Sequence, residues 1–259
     1  MIQFTEKQHK PALIALWKQC FPQDAGSFID FYFQEIFQEE ECLIAVENNQ
    51  PVAFLQMIPH NIKTGNEIRP GAYLSGVMTH PDYRNRGYMK RLLQTSFDEM
   101  MKKDYHYAFL IPQEEKLFDV YAKFGFERAF PKMIPHPRLE ELISKDYIHR
   151  FQILTDYDES ELKKLYAQYN DFLMSYPNAV LKTEKQFAAV LWDFFNEQGA
   201  LLVHKSGMIF ETTGGEQTHI QPFSDKTETI DDLSCYKGMM KSLNGTILPK
   251  AVYMVQMLD

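Results

Sequence analysis

Residues Val77–Leu93, VMTHPDYRNRGYMKRLL, carry a strand-like run into a helix-like one through a turn with two arginines and a single glycine. The strand side, GAYLSGVMTHP, stops at Pro81, because proline cannot supply a ladder N–H. The helix side, YMKRLLQTSFDEMMKKD, places Leu92, Leu93, Phe97, Met100 and Met101 at helical spacing. A helix N-terminus exposes four unpaired N–H groups and a partial positive charge. A strand that feeds such a terminus through Arg84-Asn85-Arg86-Gly87 builds a place for a phosphate or pyrophosphate. Arg84, Arg86, Lys90 and Arg91 add formal charge, and Gly87 keeps the backbone accessible. The competing reading is a solvated helix cap, and the pattern alone leaves both open. The chain has no G-x-x-x-x-G-K-[ST] and no G-x-G-x-x-G, so the usual triphosphate and dinucleotide readings have no support.

The elements around this junction follow from periodicity. IQFT reads as a short strand, and EKQHKPALIALWKQCF as an amphipathic helix ended by Pro22. A second helix, Ser27 to Phe37, is dense in aromatics. ECLIAVENNQPVAFLQMIPH reads as two strands hinged at Asn48-Asn49. YHYAFLIP is a buried strand, EEKLFDVYAKFGF a helix stopped near Gly125, and FERAFPKMI a closing strand. Pro131, Pro135 and Pro137 then mark a boundary, giving lobes 1–137 and 138–259. The second lobe echoes the first. FQILTDYDESELKKLYAQYNDF is again strand, acidic turn and helix, followed by a helix TEKQFAAVLWDFFNEQG and a strand pair hinged at Lys205 to Gly207. It lacks any counterpart of the basic turn.

Composition narrows the classes. No run of eighteen apolar residues is present, and MIQFTEKQHK has no apolar signal core, so neither a membrane span nor secretion is expected. Three widely spaced cysteines, Cys20, Cys42 and Cys235, fit no metal pattern and suit a reduced, cytoplasmic setting. No metal is expected. The net charge of −8 argues against a nucleic-acid partner and is compatible with a cationic small substrate, although solubility alone also accounts for it.

The sequence resembles the GCN5-related N-acetyltransferases (GNAT). Their pyrophosphate loop, R/Q-x-x-G-x-G/A after a strand and opening a helix, corresponds to Arg84-Asn85-Arg86-Gly87-Tyr88-Met89, with a departure at Met89. YAKFGF, Tyr121 to Phe126, matches the family's Y-x-x-x-G-F. The resemblance is closer to the Eis-like acetyltransferases, whose R-x-R-G is followed by two bulky apolar residues, and which join a GNAT lobe to a second, degenerate one. The sterol-carrier-like third domain of those proteins is expected to be missing here. The resemblance implies an α+β fold: a mixed, mostly antiparallel sheet flanked by helices, then a degenerate GNAT-like lobe.

It also implies acetyl-coenzyme A as co-substrate, lying between the fourth and fifth strands. The backbone of Val77, Met78 and Thr79 would meet the pantetheine and polarise the thioester. Asn85, Arg86, Gly87, Tyr88, Met89 and Lys90 would hold the pyrophosphate, with Gln113 a further coenzyme contact. Tyr121 falls where the family protonates the departing thiolate. By the same analogy the chain-terminal carboxylate of Asp259 would be the base, with His60 and His80 as water-mediated alternatives. Phe28, Phe31 and Tyr32 would wall the acceptor site, with Asp24, Asp30 and Glu35 supplying acidity nearby, although plain core packing is the better account of Phe28 and Phe31. The acceptor is expected to be a small-molecule or protein amine. Three rivals remain at this stage: a catalytically silent acyl-coenzyme A binder, an interaction module that oligomerises through its apolar tail, and a transferase for a longer acyl group, since no sequence feature sizes the acyl pocket.

Overall fold

The long central hairpin is sealed on both faces. In β3 (Gln50–Thr64), Phe54, Ile58 and Ile62 pack into one core, while Ala53, Leu55 and Met57 pack into another on the opposite side. Alternation of side chains across the pleat puts the two sets on different faces. The first core is built with α1 (Lys10–Cys20) and α2 (Gly26–Phe31); the second with α3 (Tyr88–Lys102) and α4 (Glu115–Ala122). The computed structural model describes residues 1–131, 152–205, 207–213, 217–220, 236–249 and 251–254.

The first sheet runs β1 (Ile2–Phe4), β2 (Cys42–Glu47), β3, β4 (Glu67–Thr79), β5 (Tyr107–Leu110), β12 (Tyr236–Ser242), β6 (Glu127–Pro131). All pairs are antiparallel except β4 and β5. Asn48 and Asn49 both adopt left-handed φ (48° and 60°), as a two-residue hairpin between β2 and β3 requires. The mixed, mostly antiparallel sheet with flanking helices is the architecture expected from sequence.

Three details differ. The helix expected over 27–37 is α2 followed by a π-helical turn, Tyr32–Ile36. The strand expected to close the sheet, β6, is its edge, and β12 from far along the chain lies between β5 and β6. A strand not foreseen, β8 (Asn178–Leu181), pairs with the far end of β3. Strands from beyond the proline-rich stretch thus enter the first sheet; Pro135, Pro137 and the expected boundary at 137 lie outside the described residues.

Beyond that stretch come β7 (Gln152–Leu154), α5 (Glu159–Ser175), β8, α6 (Glu184–Asn196), β9 (Ala200–His204), β10 (Gly207–Glu211) and β11 (Gln217–Ile220). Asp158 caps α5 through the N–H of Glu161, and Thr183 caps α6 in a reciprocal box with Gln186. These strands form an antiparallel sheet in the order β7-β9-β10-β11, the same order as β1-β2-β3-β4. Helix α6 meets the first lobe where Trp192 stacks on Phe31, ring centroids 3.7 Å apart.

Candidate functional site

The site begins where β4 stops pairing with β5. Parallel pairing covers only Gly71–Tyr73 against Tyr107–Phe109. Just beyond, the register of β4 on β3 slips: Ser75 faces Gln56 and Met78 faces Phe54, an extra residue on β4. Gly76 sits in this bulge at φ 60°, and a Cβ there would lie 2.6 Å from the Phe54 ring. Only glycine fits. Among the described residues, the β5-facing edge of β4 has no strand partner beyond Tyr73, and Val77, Met78 and Thr79 lie along that open stretch.

A cavity of about 270 Å³ fills the gap and passes through the sheet. Trp17, Phe21, Asp24, Tyr73 and Ser75 line it from one face, and Leu110, Leu117 and Tyr121 from the other. Val77 and Gln113 also line it. Tyr121, on α4, is 7% exposed, with its ring edge-on to Phe126. Its hydroxyl has no hydrogen-bond partner among the described residues. Burial pushes its pKa up to about 12, so the phenol holds its proton through the neutral range. Asp24 is the only carboxylate among the described lining residues, and its Oδ2 accepts from Trp17 Nε1–H at 2.7 Å.

The basic turn follows β4. A short 3-10 turn, Pro81–Tyr83, leads to Asn85 and Gly87, both left-handed at φ 61° and 77°. The first helical bond of α3 runs from Arg91 N–H to the Gly87 carbonyl. Among the described residues, none of the six N–H groups from Asn85 to Lys90 has a protein acceptor. Nothing lies within 4 Å of a Cβ built on Gly87, so the approach to those donors is open. The guanidinium groups are tied to the turn itself: Arg84 Nε donates to the Thr79 carbonyl at 3.2 Å, and Arg86 to that of Asp82 at 2.8 Å. The Tyr88 side chain is buried with its hydroxyl bonded to Glu47, and Met89 is half-buried, so both offer only backbone. Lys90 is exposed.

Several expected residues sit elsewhere. Phe28 is buried against Trp17, and Tyr32 is fully buried with its hydroxyl between Gln56 and Ser75. Phe31 is occupied by Trp192. None of the three lines the cavity; they build the core behind it, because the helix turns its apolar stripe inward. Asp30 and Glu35 do not line it either. His60 is sealed in the core, its Nδ1 at 3.2 Å from the Leu181 carbonyl oxygen, and burial beside Lys182 lowers its pKa to about 3. His80 accepts from the Asp82 N–H in the turn. Asp259 lies outside the described residues. Trp17, Phe21, Tyr73 and Ser75 were not found from sequence; the only local signal was an isolated glycine beside Ser75 in a strand, the mark of a bulge.

Among the described residues no three histidine, cysteine or carboxylate side chains are grouped as metal ligands, and no helix is long and apolar enough to cross a membrane.

An acetyltransferase (GNAT) domain family matches residues 2–129. No curated protein matches the sequence. A GCN5-related N-acetyltransferase from Anabaena variabilis is structurally similar with a TM-score of 0.65 at 15% identity, over 94% of this chain and 73% of that one. Eis1 from Mycobacterium abscessus is similar at 0.60 and 13%, over 94% and 67%. A putative acetyltransferase from Pyrococcus horikoshii is similar at 0.56 and 10%, over 97% and 91%. Identities this low bear on the fold, and the fold is shared across nearly the whole chain. Residues 2–129 are an acetyltransferase domain of the GNAT family, set within a chain that has the GNAT fold.

Proposed function

We propose that the chain is an acetyl-coenzyme A-dependent N-acetyltransferase acting on a primary amine. The observation that carries the reading is the cavity through the sheet between β4 and β5, with the six unpaired N–H groups of Asn85 to Lys90 at the helix end beside it. The oriented N–H groups and the α3 dipole suit a pyrophosphate. The unpaired edge of β4 suits the amides of a pantetheine arm, and one N–H there can polarise a thioester carbonyl. Gln113 at the β5 end is a further coenzyme contact.

The acceptor enters from the face of Trp17, Phe21 and Asp24. Its ammonium group gives up a proton, and the free amine nitrogen attacks the thioester carbon. The C–N bond forms, the C–S bond breaks, and the thiolate takes a proton from Tyr121. That phenol recovers a proton from solvent, and the amide nitrogen loses its second one, so an amine and a thioester become an amide and a thiol. A phenol with its pKa pushed up to about 12 is always loaded for this donation at neutral pH. The terminal carboxylate of Asp259 stays a proposal for the base.

We also read the later part of the chain as a degenerate GNAT-like lobe, supported by the matching strand order of its sheet. A cytoplasmic setting is in keeping with the free thiols of Cys20 and Cys42.

The test is calorimetric titration of the full chain with acetyl-coenzyme A, together with release of free coenzyme A in the presence of primary amines. Binding plus amine-dependent release is expected. Binding with no release for any amine would leave a silent acyl-coenzyme A binder in its place.

A further inference from the structure

Tyr32 is buried in the π-helical turn, and its single hydroxyl lies 3.1 Å from each of two side chains on different strands, Gln56 Oε1 on β3 and Ser75 Oγ on β4. The direction of these bonds follows from chemistry alone. The other amide atom of Gln56 lies 3.1 Å from the Ile36 carbonyl oxygen. A carbonyl oxygen only accepts, so that atom is the NH₂ group and the atom facing Tyr32 is the oxygen. The amide oxygen also only accepts, so the phenol proton points at Gln56. Ser75 must then give its own proton to the phenol oxygen. What remains on Ser75 is lone pairs.

Ser75 lines the cavity, and with its proton committed to Tyr32 its hydroxyl has only acceptor capacity left to offer there. Asp24 on the same wall is a second acceptor, with one oxygen already held by Trp17. Trp17, Phe21 and Tyr73 line the same cavity. Two acceptors with aromatic walls complement a group that brings several N–H donors and a positive charge. An alcohol brings one donor and no charge.

We propose that Ser75 is a specificity-determining residue of the acceptor site: its hydroxyl oxygen accepts an N–H from a primary ammonium group whose charge faces Asp24. Tyr32 and Gln56 are positioning residues that hold Ser75 in this polarity. The chain Gln56–Tyr32–Ser75 ends on an amide that takes up no proton, so it sets direction and moves nothing. The inference rests on the acetyltransferase reading of the cavity and narrows its acceptor to protonated amines.

The experiment uses the full chain with benzylamine, tyramine and putrescine as acceptors, benzyl alcohol as a neutral competitor, and calorimetry for acetyl-coenzyme A. Ser75→Ala is expected to raise the amine KM about tenfold or more, since bonds from charged donors are the strong ones. Its acetyl-coenzyme A Kd should stay within about twofold, because only the acceptor contact is lost. Tyr32→Phe frees the serine proton to turn into the cavity, so preference for benzylamine over benzyl alcohol should collapse, and adding Ser75→Ala should then change little. Should Tyr32→Phe not fold, Ser75→Ala and Ser75→Cys decide the matter alone. An unchanged amine KM in Ser75→Ala overturns the inference, as does a wild type that binds acetyl-coenzyme A but accepts none of the three amines. Failure of the wild type to bind acetyl-coenzyme A instead removes the acetyltransferase reading, and this inference with it.

Discussion

Replacing Gly76 with alanine tests the bulge that opens the cavity. At φ 60° an alanine is strained by about 1–2 kcal/mol. Its Cβ would also stand 2.6 Å from Phe54 Cε1 and 3.0 Å from Trp17 Cζ3. Both rings are packed in the core, so neither can swing clear, and overpacking adds about 1–3 kcal/mol. The sum, roughly 2–5 kcal/mol, is a large share of the ~5–15 kcal/mol that holds a typical domain together. Gly65→Ala is the control: φ is 59°, but nothing lies within 4 Å of its Cβ, so only the backbone strain applies. Urea unfolding followed by tryptophan fluorescence gives both values from the shift in midpoint at constant slope. Gly76→Ala should be the more destabilised by the crowding contribution alone. Because Trp17 holds Asp24, its displacement should also weaken amine binding. Equal destabilisation of the two variants would refute the packing of the bulge described above.

Gly87→Asp places a carboxylate before the six unpaired N–H groups and forces a side chain to φ 77°; acetyl-coenzyme A binding should vanish in calorimetry, and unchanged affinity would sink the loop assignment. Tyr121→Phe should lower kcat by about 10²-fold or more while leaving coenzyme affinity intact, and an unimpaired rate would return Tyr121 to a packing role. In the wild type, the pH profile of kcat should show no fall from Tyr121 below about pH 11, its pKa lying near 12. His60 titrates near 3 when folded against an ordinary 6.5, so the unfolded state binds its proton first. Stability on the order of 5 kcal/mol is present above pH 6.5 and lost as pH falls toward 3; urea midpoints should drop across that window, less so in His60→Gln, and a flat profile would contradict the burial of the ring.

Local chemistry was the legible part. The basic turn, the Asn48-Asn49 hairpin and the stop at Gly125 each follow from neighbours along the chain, and each appears where periodicity and turn residues put it. The π-helical turn was hidden because Phe28, Phe31, Tyr32 and Phe33 satisfy a helical stripe whether bonds close to the fourth or the fifth residue. Asp24 reads as a loop residue until Trp17 is seen to hold it. Ser75 reads as a minor polar interruption of a strand until the bulge turns it to the cavity. Strands β8 and β12 depend on pairings across more than a hundred residues, which no window of sequence contains.

The place of β12 sets an order of events during synthesis. Strands β5 and β6 are made long before Tyr236–Ser242, the segment that lies between them. At about 5–20 residues per second, the intervening hundred or so residues take roughly 5–20 s to emerge. Through that interval the nascent sheet carries an open slot rather than an open rim, with ladder groups of two strands facing a vacancy. Another copy's β12 would fit the same slot, so crowded translation invites exchange of this strand between chains. A fragment ending at residue 129, the span that the family alone would suggest, keeps the slot permanently and should not fold to a stable sheet.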